Sequence, residues 1–155
     1  FAVASINYRL RQDVIASANL EDCLAAVRWL RVSAEASGLD DNPLGDWGPS
    51  AGGHLAALLG SWPETNEKIS TRVQAVCDFC GPSDLTRIAD PEIRAEFPVL
   101  YEVTEQYLGG PVAERAELAR QVSPLSYVSK DLPPIFIVHC RHDSVVPVEE
   151  SQIYY

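Results

Sequence analysis

Short apolar runs alternate with longer stretches of helical periodicity along the chain. The runs predict strands at residues 2–8, 44–47, 73–79 and 135–138, and the last is a continuous apolar stretch typical of a buried parallel strand. A helix is predicted over residues 19–37, where apolar side chains recur at helical spacing: Leu20, Cys23, Leu24, Val27 and Leu30. This alternation indicates an α/β fold with a mostly parallel sheet flanked by helices.

The stretch from about residue 83 to residue 131 departs from that pattern. It has scattered prolines, the pair Gly109-Gly110 and many charges, with helical patches but no strong strand. We expect a cap-like insertion here that covers the sheet edge, because such segments often border substrate sites. Residues 1–155 are predicted to form a single domain, whose last helix starts at Val148.

Charge and hydropathy argue against two classes of partner. The 155 residues carry a formal net charge of −10, which repels the phosphates of nucleic acids and of anionic lipids. No apolar run approaches the roughly 20 residues that a helix needs to cross a bilayer. We therefore expect neither a nucleic-acid partner nor a membrane span.

The first residues suggest a longer parent protein. The chain contains no methionine, and it opens inside an apolar run that is predicted to be strand from its first residue. Natural gene products rarely start in this way. We therefore expect the chain to be an internal fragment.

The cysteines lack the dense spacing of secreted disulfide domains and fall inside predicted elements: Cys23, Cys77, Cys80 and Cys140. We expect them to be reduced and to behave as small buried hydrophobic residues. Two alternatives stay open, a zinc site formed by Cys77, Cys80 and Cys140 with His139 or His142, and a redox pair of Cys77 with Cys80. Residues three apart on a strand point to opposite faces, which disfavours the zinc site. No metal and no organic cofactor is expected.

The strongest chemical signal is a serine between two glycines. Gly48-Pro49-Ser50-Ala51-Gly52 fits the pattern G-x-S-x-G, with a predicted strand before it and helix formers after it. Glycine at positions 48 and 52 lets the helix fold back on the strand, and the turn holds the Ser50 hydroxyl out at the top of the sheet. The Ala51 N–H, at the start of the helix, is then placed to stabilise an oxyanion. The pattern predicts Ser50 as a catalytic nucleophile.

Further motifs follow one another along nearly the whole chain: Asn7-Tyr8-Arg9-Leu10, Glu21-Asp22-Cys23, Ala26-Val27-Arg28-Trp29-Leu30, Trp47 to Ala56 around the serine, Phe79-Cys80-Gly81-Pro82-Ser83-Asp84-Leu85, Tyr107-Leu108-Gly109-Gly110, Ser123-Pro124 and Pro133-Pro134. Their identity and order resemble the acetyl-esterase and feruloyl-esterase-like (BD-FAE-like) branch of the α/β-hydrolases. The run from His139 to Pro147 is similar to the H-G-x-x-D-x-x-V-P acid loop of that branch, with Cys140 in place of the glycine.

The resemblance implies a partial α/β-hydrolase fold and a serine esterase or lipase that hydrolyses small acyl esters. It assigns Ser50 as nucleophile, Ala51 as oxyanion donor and Asp143 as the acid that orients a histidine. In this fold the histidine follows the acid and an H-G-G-type loop precedes the first strand here, so both are expected outside the 155 residues. The isolated chain should then be nearly inactive. An amidase or peptidase on the same fold, and a hydrolase-like binding domain without catalysis, are the alternatives.

The histidines within the chain are alternative bases: His54, His139 and His142. His54 lies one helical turn after Ser50 and is expected to point into the fold. The other two flank the acid, and a neighbour so close to the acid can rarely reach across to the serine. We expect none of the three to replace the missing base.

The resemblance also implies a gap in the sheet. In the family's strand order, residues 2–8 and 44–47 are separated by a strand that this chain lacks. We expect the gap to be closed by direct pairing, by another chain or by rearrangement, and we expect association through exposed sheet edges. Asp46 weakens the prediction of strand 44–47, because an unpartnered buried carboxylate is costly.

Overall fold

Three short parallel strands form the sheet in the computed structural model, which describes residues 2–10, 15–40, 43–64 and 68–155. Strand β1 (Gly45–Pro49) pairs with β2 (Ala75–Phe79), and β2 pairs with β3 (Ile135–Val138), so β2 is the central strand. In parallel strands all carboxyl ends meet at one edge of the sheet, where α/β proteins hold their ligands. This edge carries the loops that follow Pro49, Phe79 and Val138.

Six α-helices and four 3₁₀ segments accompany the sheet in the described part of the chain. The helices are α1 (Ala18–Ser33), α2 (Ala51–Ser61), α3 (Pro91–Glu96), α4 (Pro98–Leu108), α5 (Ala116–Gln121) and α6 (Glu149–Tyr154). The 3₁₀ segments are Glu35–Ser37, Leu85–Ala89, Val112–Glu114 and Pro124–Tyr127. No helix in the described ranges is long and apolar enough to cross a membrane.

The core lies where α2 packs on the sheet and α1 packs against α2. Helix α2 is the more apolar of these two helices. Its buried residues include Leu55, Ala56, Ala57, Leu58 and Leu59. Helix α1 buries one face and leaves the other to solvent, so Leu20 and Val27 are covered whereas Trp29 is 65% exposed. Burial of these apolar side chains is the main stabilising contribution to the arrangement.

Most predicted elements are confirmed. The helix expected over residues 19–37 is α1 with a tightened 3₁₀ end, and it stops at Gly38, whose φ of 65° lies in the left-handed region. The strands expected at 44–47, 73–79 and 135–138 are β1, β2 and β3, shifted by at most two residues at any end. The stretch 83–131 contains helices and no strand, as predicted. Its role as a cap stays a prediction.

The strand predicted at residues 2–8 is wrong. Residues 2–10 form no strand and are almost entirely exposed, with Val3 at 80%. The segment is held instead by polar contacts between Arg9 and Asp22 of α1. The Arg9 guanidinium lies 2.9 Å from Asp22 Oδ1, and the main-chain N–H of Arg9 donates to Asp22 Oδ2 at 2.8 Å. A strand exists only through hydrogen bonds to a neighbouring strand, and β1 does not pair with this segment. Closure of the sheet by direct pairing is therefore also wrong.

The edge strands of the sheet expose large apolar side chains. Within the described residues β1 and β3 are edge strands, and they expose Trp47 and Phe136 by 62% and 67%. Exposed apolar strand edges are sites where further strands or other chains add. Association through these edges stays a prediction.

A buried carboxylate joins the last helix to the start of the 83–131 segment. Glu150 on α6 is 1% exposed, and its Oε2 accepts hydrogen bonds from the N–H groups of Ser83 and Asp84 at 2.9 and 2.8 Å. The Arg87 guanidinium donates to its Oε1 at 3.1 Å. Burial raises the pKa of Glu150. These donors compensate the buried charge, and they fix the first turn of α6.

Asp46 does not prevent strand formation. It lies within β1 opposite Val76 and is half-buried. Burial raises the pKa of Asp46 to about 6, against the opposing effect of a hydrogen bond from the Trp47 N–H. Asp46 was expected to weaken the prediction of this strand. The strand forms because its hydrogen bonds to β2 outweigh the cost of one partly covered carboxylate.

Asp46→Asn is expected to stabilise the folded protein at neutral pH. The folded-state pKa of about 6 lies above the ordinary value of 3.8, so ionisation of Asp46 disfavours folding. As the pH rises from about 4 to 6, ionisation of Asp46 lowers the free energy of unfolding. The decrease is on the order of 1–2 kcal/mol after allowance for partial exposure. Urea unfolding at several pH values should show this decline in the wild type and a shallower one in Asp46→Asn. An unchanged pH profile would contradict the assignment.

Candidate active site

Ser50 lies alone between β1 and α2 in a strained backbone conformation. Its φ is 52° and its ψ is −118°, a region that residues other than glycine seldom adopt. The side chain is exposed, and the main-chain N–H donates to the Phe79 carbonyl at 2.7 Å. The turn is therefore tied to the end of the neighbouring strand, and it holds the hydroxyl outward at the carboxyl edge of the sheet.

Gly48 is required by the sharpness of this turn. A Cβ on Gly48 would lie 2.5 Å from the Gly52 carbonyl carbon and 2.6 Å from its oxygen. These are backbone atoms and cannot rotate away. A Cβ on Gly52 would meet only the Pro49 ring, at 3.3 Å. The two glycines of the motif thus differ in importance, with the tighter restriction at position 48.

Gly48→Ala is expected to disrupt the serine turn, whereas Gly45→Ala in the same strand is not. A Cβ on Gly45 would lie 3.7 Å from the Ala75 carbonyl oxygen, an ordinary contact. Overpacking against backbone should lower the free energy of unfolding by about 3 kcal/mol and the rate of any Ser50-dependent reaction by about 100-fold or more. Chemical denaturation and ester turnover of both variants measure the difference. Equal behaviour of the two variants would show that the turn tolerates a side chain.

The Ala51 N–H begins α2. As the first helical residue it has no acceptor within the helix, and its N–H belongs to the positive end of the helix dipole. It follows the nucleophile candidate directly, as an oxyanion donor must in this kind of turn. Ala51 is exposed, so a bound substrate can reach it.

A second turn supports the first through Asp78, a residue that the sequence analysis did not single out. Cys80 follows β2 with a φ of 50°, and Asp78 Oδ1 accepts the Gly81 N–H at 2.8 Å. The same oxygen would lie 2.3 Å from a Cβ on Gly53, so the carboxylate is wedged against α2. Burial raises the pKa of Asp78 to about 6, against the effects of the Gly81 N–H and of His139. The sequence does carry a signal for Asp78, because it is the one aspartate in the otherwise largely apolar run 73–79.

Asp143 lies in the loop after β3. Its Oδ1 accepts hydrogen bonds from the N–H groups of Val145 and Val146 at 2.8 and 2.9 Å. The pKa of Asp143 lies below its usual value. Partial burial acts to raise this pKa, but the two N–H groups and the nearby His139 together lower it by more. The side chain is 19% exposed. Asp143 is therefore an ionised carboxylate at neutral pH, with one oxygen fixed by the main chain.

The topology brings Ser50 and Asp143 to the same edge of the sheet. They follow β1 and β3, which are separated by β2 alone. Two inter-strand spacings amount to roughly 10 Å. An imidazole ring bonded to both side chains stays a prediction.

Within the described residues no hydrogen bond joins a histidine ring to Ser50. His54 is buried on α2, with its Nδ1 2.8 Å from the Pro82 carbonyl, and its ring packs edge-on against Tyr107 of α4 at 5.9 Å between centroids. Burial lowers the pKa of His54, against the effect of the Pro82 carbonyl. The inward orientation expected from the sequence is confirmed. His142 is exposed in the acid loop.

The cysteines are free, but they are not uniformly buried. Cys23 is buried and Cys77 and Cys80 are half-buried, whereas Cys140 is exposed, contrary to expectation. Cys140 is exposed because it lies in the loop after β3, outside the sheet. In residues 2–10, 15–40, 43–64 and 68–155 no group of three or more histidine, cysteine or carboxylate side chains could hold a metal ion.

Comparison with known families and curated proteins gives a consistent result. A family model described as BD-FAE matches residues 1–155. The probable carboxylic ester hydrolase LipM of Mycobacterium tuberculosis is 30% identical over 154 residues, which cover 96% of this chain and 35% of LipM. The chain thus spans about a third of the length of this curated relative.

Solved structures share the fold. A truncated carbohydrate esterase from gut microbiota superposes with a TM-score of 0.81 at 26% identity, over 96% of this chain and 58% of that one. An acetyl ester-xyloside bifunctional hydrolase from Caldicellulosiruptor lactoaceticus gives a TM-score of 0.78 at 30% identity, over 96% and 53% of the two chains. Their similarity extends over nearly all of this chain, so the three-stranded sheet and its helices correspond to part of the α/β-hydrolase fold.

Proposed function

The chain belongs to the BD-FAE family of α/β-hydrolase esterases, and from this premise we propose that the whole protein is a serine-dependent carboxylic ester hydrolase. The observation that carries the proposal is the backbone of Ser50, which holds an exposed hydroxyl in a strained turn at the start of a helix. Strain of this kind persists where function requires it. The carboxylate of Asp143, two strands away on the same edge, supports the same conclusion.

The proposed reaction proceeds by acyl transfer. A base takes the proton of the Ser50 hydroxyl, and the oxygen attacks the acyl carbon of the ester. The negative oxygen that forms accepts a hydrogen bond from the Ala51 N–H, and the base returns the proton to the departing alcohol. Water then attacks the acyl-enzyme while the same base accepts its proton, and the base passes that proton to the Ser50 oxygen as the acid leaves.

The base is assigned to a histidine outside the 155 residues. His54 is buried against the Pro82 carbonyl, the ring of His139 is bonded to Val146 and Ser151, and His142 is an exposed residue beside the acid. An imidazole bonded to Asp143 Oδ2 and to Ser50 fits the roughly 10 Å between β1 and β3. Asp143 would fix its tautomer and stabilise its charged form.

The substrate class proposed is small acyl esters. Solved structures similar to this chain include one named a carbohydrate esterase and one named an acetyl ester-xyloside bifunctional hydrolase. We therefore propose acetyl esters, or esters of aromatic acids, in which the alcohol is a carbohydrate or a simple alcohol. The net charge of −10 favours neutral over anionic substrates.

Hydrolysis of p-nitrophenyl acetate by the whole protein, with labelling by a fluorophosphonate probe, tests the proposal. An activated serine reacts with the probe and an ordinary serine does not, so we expect labelling at Ser50 together with ester turnover. Faster cleavage of the matching anilide would favour an amidase. Absence of both labelling and turnover would favour a binding domain.

The isolated 155-residue chain provides a control on the assignment of the base. It should turn over p-nitrophenyl acetate only slightly faster than buffer, because loss of the base removes most triad catalysis. Substantial turnover that depends on Ser50 would show instead that a histidine within the chain acts as the base.

A further inference from the structure

His139 occupies a position that the proposed mechanism does not use. Its ring follows β3 and its side chain is 3% exposed, in contrast to the exposed His142 in the same loop. Both ring nitrogens have partners. The Nδ1 atom lies 2.6 Å from the hydroxyl of Ser151, and the Nε2 atom lies 3.0 Å from the carbonyl oxygen of Val146.

These partners fix the tautomer. A main-chain carbonyl can only accept, so Nε2 carries the hydrogen and donates it to Val146. The Nδ1 atom then accepts the hydrogen of the Ser151 hydroxyl. In this tautomer the hydrogen bonds run in one direction, from Ser151 through His139 to Val146.

Val146 links this chain of bonds to the acid. Its carbonyl is held by His139, and its N–H is one of the two that grip Asp143 Oδ1. The other carboxylate oxygen, Oδ2, lies 3.9 Å from His139 Nε2, beyond hydrogen-bond distance. Within the described residues Oδ2 accepts no hydrogen bond, so it is the oxygen that can receive an imidazole N–H.

The chain of bonds starts from a fixed point. Ser151 lies on α6 directly after Glu150, whose buried carboxylate is held by Ser83, Asp84 and Arg87. Each link from this anchor to Asp143 is buried or half-buried, except Val145. Such supporting hydrogen bonds hold a reacting group within the small tolerance that catalysis requires.

We propose that His139 is a positioning residue of the proposed esterase, oriented by Ser151, and that it holds the acid loop so that Asp143 presents Oδ2 to the catalytic histidine. It touches neither the substrate nor the reacting atoms. The inference rests on the proposed function, and it assigns roles to His139 and Ser151 within that site.

The test measures kcat and KM of the whole protein for p-nitrophenyl acetate. His139→Ala should lower kcat by about 10- to 100-fold with KM within about twofold, because removal of a supporting partner misplaces the acid without altering substrate binding. His139→Gln should recover most of the loss, because its amide N–H can still donate to Val146. Ser151→Ala removes one hydrogen bond and should lower kcat about fivefold. His142→Ala is the matched control and should stay within about twofold of the wild type.

A double-mutant cycle separates positioning from simple stability. If His139 acts through Asp143, adding His139→Ala to Asp143→Asn should change kcat by less than about twofold. A further loss of 10- to 100-fold when His139→Ala is added to Asp143→Asn would overturn the inference. Wild-type kcat in both single variants, His139→Ala and Ser151→Ala, would overturn it as well. If His139→Ala does not fold, the cycle of Ser151→Ala with Asp143→Asn decides by the same criterion. Absence of Ser50-dependent turnover in the wild type would instead overturn the proposed function, and the inference with it.

Discussion

Ser50→Ala is expected to abolish ester hydrolysis by the whole protein. Loss of the nucleophile removes the covalent route, so kcat for p-nitrophenyl acetate should fall by about 10⁶-fold, to the residual level that binding and the oxyanion donor provide. Fluorophosphonate labelling should disappear with it. The side chain is exposed, so the melting temperature should change little.

Ser37→Ala is the matched control for this substitution. Ser37 is also exposed and ends the 3₁₀ segment after α1, far from the turn in sequence. It should retain full activity and full labelling. Retention of more than about one per cent of wild-type turnover by Ser50→Ala would mean that another residue is the nucleophile, and the proposed mechanism would then be wrong.

Asp143→Asn should lower kcat by about 10⁴-fold while the acid loop keeps its structure. The amide oxygen of asparagine can still accept the N–H groups of Val145 and Val146, so the loop remains closed. The amide cannot stabilise a charged imidazole, and its NH₂ group favours the wrong tautomer of the histidine. Steady-state kinetics measure the loss, and circular dichroism establishes that the fold is retained.

Asp131→Asn serves as the control for this substitution, because Asp131 is an exposed carboxylate outside the proposed site. It should stay within about twofold of wild-type kcat. If Asp143→Asn also stays within about twofold of wild-type kcat, Asp143 only stabilises its loop, through its hydrogen bonds to Val145 and Val146. The acid would then have to be sought elsewhere at the carboxyl edge of the sheet.

The periodicity of the sequence predicted the elements that need no distant partner. Helix α1 follows from its apolar spacing and ends where Gly38 permits a left-handed φ, and β3 follows from its continuous apolar run. The serine turn is determined by a few neighbouring residues, because Gly48 is small enough for the helix to fold back. Local signals of this kind do not depend on the rest of the chain.

The same reasoning failed for residues 2–8, where an apolar run has strand composition but no neighbouring strand. It also gave no role to Ser151 or to the buried Asp78, and it considered His139 only as a base or a zinc ligand, because such roles depend on which groups the fold brings near a residue. Ser151 is eight residues from Asp143 and on another element, and no spacing rule connects the two.

By itself the sequence determined the α/β pattern, the sharp turn at Ser50 and the family to which the chain belongs. Only the tertiary structure decided which strands pair, which oxygen of Asp143 is held by the main chain, and which histidine side chains are buried. The reason is physical: steric restrictions and hydrophobic periodicity act between near neighbours, whereas strand pairing, burial and hydrogen-bond partners are set by residues far apart along the chain.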